Sequence, residues 1–245
     1  MQIAIADRPE MEPSWLNSEE QPVTFQIALV GSDGLVMGSD RLARYEPPVE
    51  AGTKALPKIL AMSKYFVSHD QSLVCFASGT QTAIEAARRI SEDRRALTMN
   101  VTEQEWESTL KQVAATAPLP PAHIPIADEI LVVRRDVSNA FWFVVRRPNT
   151  PVVALKTSSH VCTGASTVAQ FLPRNLWNKD RSVRELKQLA ILTLSYAADE
   201  ESSFVGPPFD IMTLDKAGKI EWSEHDPIND KFQPGLERLF GDLSE

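Results

Sequence analysis

A chain of 245 residues, 43% of them hydrophobic, is long enough to bury one large core. Lysine and arginine number 25 against 33 acids, a net charge of −8, and the arginine pairs at 88/89, 94/95, 134/135 and 146/147 are scattered, which argues against a nucleic-acid surface. No stretch approaches the roughly 20 apolar residues of a bilayer span, and the first residues lack the charged start and apolar centre of a secretory signal, so no membrane contact and a cytoplasmic location are expected.

Residues 1–23 contain Pro9, Pro13 and Pro22, several acids and little periodicity; they read as a leader or disordered arm ahead of a domain at 24–245. From Thr24 a strand-like run, the turn Gly31-Ser32-Asp33-Gly34 and a second run predict a hairpin that ends in the acid Asp40. Pro47, Pro48 and Gly52 interrupt the chain before strands at 58–62 and 73–77. After Ser78-Gly79-Thr80 the apolar period lengthens: Ala83, Ile84, Ala87 and Ile90 fall on one helical face, and Thr102 with Glu105 makes a capping box for a second helix reaching about 113. Pro118, Pro120 and Pro121 end it, and β-rich runs follow at 129–135, 141–146 and 152–156. A third helix is expected after 163–166, ended or kinked by Pro173, and Ser182 with Glu185 is a second capping box opening a helix to about 198. Strands at 209–214 and 219–222 flank the turn Asp215-Lys216-Ala217-Gly218. Strands, two helices, strands, two helices and strands make an α+β arrangement in which sheets pack together and helices cover the outside.

Thr24 is the residue with the most chemical interest, because a threonine becomes a nucleophile without a histidine when its own backbone amine is freed to act as the base. His69, His123, His160 and His225 show no metal-ligand spacing and no serine or cysteine partner, so neither a metal nor a cofactor is expected. Cys75 and Cys162 lie in apolar runs and read as small buried hydrophobes in a reducing compartment. Phe141, Trp142 and Phe143 fill consecutive positions and predict a strand covered on both faces, or on one face and by a subunit contact.

Five strings in order carry a resemblance: the opening hairpin with Asp33-Gly34 and Gly38-Ser39-Asp40-Arg41, then Lys58-Ile59-Leu60, Ala77-Ser78-Gly79-Thr80, Thr163-Gly164-Ala165-Ser166 and Asp210-Ile211. Together they resemble the proteasome β-subunit family, including the HslV-type peptidases, within the N-terminal-nucleophile (Ntn) hydrolases. The resemblance covers about residues 24 to 222. It implies a four-layer αββα sandwich with Thr24 as nucleophile, Asp40 as supporting acid, Lys58 as the lysine beside the nucleophile and Gly79 as the glycine whose N–H stabilises the oxyanion. The family's downstream acid and serine fall on Asp199 and Ser202 in one alignment and on Glu201 and Ser203 in another. Ala165 takes the place of a serine usual in the glycine-rich turn, with Ser166 one position later.

These residue types suit the chemistry: an α-amine of pKa about 8 accepts the hydroxyl proton, a nearby ammonium favours deprotonation, and the acid keeps that ammonium charged and aimed. The implied activity is that of a threonine-type endopeptidase, acting on peptides or unfolded proteins through an acyl-enzyme ester. A homo-oligomeric ring and an ATP-dependent unfoldase are its implied partners. Self-processing members carry glycine before the threonine, whereas this chain has Val23; exposure of the amine is therefore expected either from cleavage or from initiation at the Val23 codon, read as a GTG start, and loss of the initiator. Two alternatives stay open: a non-catalytic scaffold subunit, which Val23 and Ala165 favour, and an amidase or acylase for small substrates.

Overall fold

The runs Phe25–Val30 and Gly34–Asp40 are buried at every residue, which requires cover on both faces of the sheet they form. The computed structural model describes residues 24–45, 58–96, 101–120, 122, 127–164, 169–202 and 205–226; the expectations placed on 1–23, Ala165, Ser166 and Ser203 lie outside these. In chain order the strands are β1 (Phe25–Val30), β2 (Gly34–Asp40), β3 (Leu42–Tyr45), β4 (Lys58–Ala61), β5 (Tyr65–Val67) and β6 (Leu73–Ser78), followed by helices α1 (Gln81–Glu92) and α2 (Glu103–Ala115). Then come β7 (Asp128–Arg134), β8 (Phe141–Arg146), β9 (Val153–Thr157), β10 (His160–Gly164), α3 (Phe171–Leu176), α4 (Val183–Glu200), β11 (Phe209–Asp215) and β12 (Ile220–His225).

The result is an α+β fold. Among the described residues one five-stranded antiparallel sheet runs β10-β1-β2-β11-β12, a second runs β5-β6-β7-β8-β9, and β3 pairs with β4. The facing sides of the two large sheets share one apolar cluster, with Ala28, Leu35, Met37 and Met212 from the first meeting Val74, Phe76, Leu131 and Phe141 from the second. On its other face the second sheet packs against α1 and α2 through Cys75, Ile130, Trp106 and Trp142, and the first packs against α3 and α4 through Ile27, Ile211, Leu176 and Leu194. Phe141 and Trp142 therefore point to opposite layers, so β8 is covered on both faces.

Both capping boxes form: Thr102 with Glu105 at α2, and Ser182 with Glu185 at α4. Pro173 neither ends nor kinks the third helix. It stands third from the start of α3, in the first turn, where a missing N–H costs no helical bond. Strand β3 is short and takes its extended form from the ladder with β4.

The edge of the first sheet nearest Thr24 depends on Gly164. Its φ is +94°, and a Cβ there would run into the carbonyl oxygen of Thr24, part of the main chain. Gly206, with ordinary φ and 3.5 Å to the Leu42 side chain, has room. Gly164→Ala is expected to lose about 2–3 kcal/mol or more in urea unfolding, whereas Gly206→Ala should stay within about 1 kcal/mol of wild type.

Candidate functional site

Thr24, only 4% exposed, leads into β1, and the next residue places its amide on Asp40: the Phe25 N–H donates to Asp40 Oδ1 at 3.0 Å. Strand pairing makes this contact possible, because Gln26 lies opposite Ser39 and the two strand ends therefore finish side by side. Asp40 has no exposure, and its second oxygen accepts the Leu42 N–H at 3.0 Å. The buried Nζ of Lys64 stands 3.1 Å from both Asp40 oxygens and also donates to the Leu42 carbonyl. Burial pushes the Asp40 carboxyl up to about 6, against the pull of the Lys64 ammonium and the amides of Phe25 and Gly206. Burial likewise lowers Lys64, against the attraction of Asp40. Beside this pair, Arg41 binds both oxygens of Asp210 and reaches Glu224, tying the end of β2 to β11 and β12.

Gly79 sits on the other sheet, between the end of β6 and the start of α1. Its φ of +118° and the Ala127 carbonyl, 2.8 Å from where a Cβ would be, require glycine. The turn is held by a second buried carboxylate. Asp128 accepts from the Thr80 N–H at 3.2 Å, the Thr80 hydroxyl at 2.9 Å and the Thr82 hydroxyl at 2.6 Å. Fully buried Arg146 donates to Asp128 at 3.0 Å and to the carbonyls of Thr82 and Ala117, each at 2.9 Å.

Of the residues singled out in sequence, Thr24 and Asp40 come together, and Gly79 lies on a fixed turn. The lysine against Asp40 is Lys64; Lys58 instead opens β4, opposite Tyr45 in the small two-stranded sheet. The chain returns toward Asp40 only after that hairpin, where the Met62 N–H meets the Arg41 carbonyl. Lys64 precedes the strand-like run Tyr65-Phe66-Val67, a signal equal to the one that follows Lys58. Asp199 and Ser202 are exposed at the end of α4 and beyond it. Glu201, which caps α4, has a buried carboxylate oxygen without a protein partner, and the segment that follows brings Gly206 to the Arg41 amide and to Asp40. Cys75 is fully buried and Cys162 half-buried, and burial pushes the Cys162 thiol up to about 12, so neither thiol is activated. Among the described residues no group of histidine, cysteine and acid side chains is placed to hold a metal ion, and no helix is long and apolar enough to cross a membrane.

No sequence-family model matches the chain, and no curated protein matches it in sequence. Solved structures do match. Anbu (ancestral beta-subunit) from Yersinia bercovieri is 15% identical with a TM-score of 0.61, over 90% of this chain and 92% of that one. Anbu from Hyphomicrobium sp. strain MC1 is 13% identical with a TM-score of 0.59, over 90% and 93%, and its Gly-1 mutant gives 13% and 0.60 over the same shares. At such identities the likeness is one of fold.

It corrects the resemblance to proteasome β-subunits and HslV-type peptidases: the structural neighbours are Anbu proteins, proteasome-like but a distinct family. Among the five strings, the hairpin turn and the helix-entry glycine are features the fold itself requires, so they do not separate its branches.

The buried pair yields a test with a definite sign. Because the folded-state value of Asp40 is raised above 3.8, its contribution to stability is fully present below that value and is lost as pH rises through about 6. Lys64→Met removes the cation that holds the carboxyl down, leaving a lone buried carboxylate above that range. Unfolding by urea should show a loss of about 3 kcal/mol at pH 8 that shrinks markedly by pH 5, where Asp40 keeps its proton. An equal loss at both pH values would refute the coupling.

Proposed function

We propose that the protein is a threonine-type peptidase of proteasome-like fold, with Thr24 as its nucleophile once its amine is free. The observation that supports this reading is the Asp40–Lys64 pair, buried against the amide of the residue next to Thr24. In this scheme the α-amine takes the proton of Thr24 Oγ1, and the oxygen adds to the substrate carbonyl. Lys64 eases the loss of that proton by its charge, and Asp40 keeps Lys64 charged and in place. The Gly79 N–H stabilises the oxyanion, the departing amine takes the proton from the Thr24 amine, and water then hydrolyses the ester.

Glu201, with its partnerless buried oxygen, is better placed than exposed Asp199 and Ser202 to meet the freed amine. The same reading carries a four-layer αββα sandwich, release or non-translation of residues 1–23, a cytoplasmic location and a homo-oligomeric ring. Apolar Leu155, 56% exposed on the edge strand β9, and Phe171, 64% exposed on α3, offer surface for such contacts. An ATP-dependent unfoldase would be needed for folded substrates.

A second reading has an observation of its own. Exposure of Asp199 and Ser202 leaves the acid and serine of one alignment away from any buried site, which favours a scaffold subunit that never exposes an amine. Intact-mass measurement on protein from its native host separates the two. The peptidase reading expects a chain beginning at Thr24, a covalent adduct on that residue with a β-lactone, and a loss of about a thousandfold or more in peptide hydrolysis for Thr24→Ala. A native mass that retains residue 23, or full activity in Thr24→Ala, would remove it.

A further inference from the structure

Along β7 and β8, the face under α1 and α2 changes from apolar to charged at the end nearest Gly79. Val132 stands opposite Trp142 and Ile130 opposite Val144, all within one apolar cluster, and the next pair in phase is Asp128 opposite Arg146. Both of these side chains are fully buried, 3.0 Å apart. An apolar pair there would hold the ladder as well or better, so the charges require another account.

The bonding capacity of Asp128 is directed at one turn and one counterion. Its Oδ1 accepts the N–H and the hydroxyl of Thr80, and its Oδ2 accepts the Thr82 hydroxyl and the Arg146 guanidinium. Gly79 lies directly on this carboxylate: a Cβ on Gly79 would be 3.0 Å from Asp128 Cα and 3.1 Å from its Oδ1. Arg146 in turn fixes where the carboxylate stands. It donates to the carbonyl of Thr82 in the first turn of α1, and to those of Ala117 and Pro118 beyond the end of α2. Two side chains thus tie the Gly79 turn to both helices that cover its sheet.

We propose that Asp128 and Arg146 are positioning residues that act as a unit: the carboxylate aims the Gly79 N–H, and the guanidinium both anchors that carboxylate and cancels its charge behind the donor. The functional part rests on the reading that the Gly79 N–H receives the oxyanion. A shift of about 1 Å in an oxyanion donor lowers the rate of the chemical step while leaving substrate binding largely intact. A lone carboxylate packed against that donor would also repel the negative charge that develops on the substrate oxygen, and a buried site screens such repulsion poorly. Arg146 is therefore needed because Asp128 is there, and loss of both charges should do less harm than loss of Arg146 alone.

The experiment takes two readouts on the protein with Thr24 exposed: hydrogen exchange at the Thr80 amide, and kcat and KM on a fluorogenic peptide. Thr82→Val removes one bond to Asp128 and leaves the ion pair in place. It should speed exchange at Thr80 and lower kcat about fivefold, with KM within about twofold, and Thr82→Ser, which keeps the hydroxyl, should restore both. Arg146→Met should lower kcat about a hundredfold, and adding Asp128→Asn to it should recover about fivefold or more of that loss. The Thr82 variants keep the test decisive should either Arg146 variant fail to fold. Unchanged exchange at Thr80 in Thr82→Val, an unchanged kcat in that variant despite faster exchange, or a double variant no faster than Arg146→Met would overturn the proposal. If wild type hydrolyses no peptide while exchange at Thr80 responds as expected, the peptidase reading has failed, and with it the functional half of the proposal, while the anchoring of the turn stands.

Discussion

Asp40 and Lys64 are two opposite charges taken out of water at the point where β1 begins and β2 ends. Moving each ion into a protein interior costs several kcal/mol, and their attraction offsets this only when the remaining bonding capacity of both groups is filled. Here it is filled by the main chain. Asp40 receives amides from Phe25 at the start of β1, Leu42 at the start of β3 and Gly206 in the segment after α4, while Lys64 donates to the Leu42 carbonyl. Three separate parts of the chain are therefore registered on one carboxylate, and all of them meet next to Thr24.

The Gly79 turn is built by the same logic on the second sheet. Asp128 gathers an amide and two hydroxyls from Thr80 and Thr82, and Arg146 answers it while donating to main-chain carbonyls across the gap between α1 and α2. Two buried ion pairs are thus built in this way: Asp40 with Lys64, which links the end of β2 to the residue whose carbonyl takes the Ala77 N–H of β6, and Asp128 with Arg146 beneath the Gly79 turn. Apolar pairs of equal volume would hold the strands as well or better, so stability alone does not account for either. Directionality does: a carboxylate with several fixed donors places a turn or a strand end more closely than dispersion contacts can.

Local signals in the sequence carried much of this. The capping boxes at Thr102 and Ser182 name their helices outright, and the Gly31–Gly34 turn names the first hairpin. Lys64 was not separable from Lys58, since each precedes a strand-like run and the choice depends on where the hairpin of β3 and β4 returns the chain. The acid at the end of α4 could have been read more finely. Leu186, Leu189, Ala190, Thr193, Leu194 and Ala197 mark the buried face, and four residues beyond Ala197 comes Glu201, whereas Asp199 falls on the exposed side.

Fold likeness at 13–15% identity carries no activity with it, so the weight falls on which residues the architecture would need in any case. Gly164 is required by packing alone, whatever the protein does, because no side chain fits against the Thr24 carbonyl. The capping boxes and the apolar layer between the sheets are likewise indifferent to chemistry. Asp40 and Lys64 belong to another class: their burial opposes folding above about pH 6, their place is the end of one strand, and their amide donor is the residue after a threonine. A charge pair held rigidly there costs stability at neutral pH, and what it supplies in exchange is position: one carboxylate fixes the start of β1, the start of β3 and the segment at Gly206 beside Thr24.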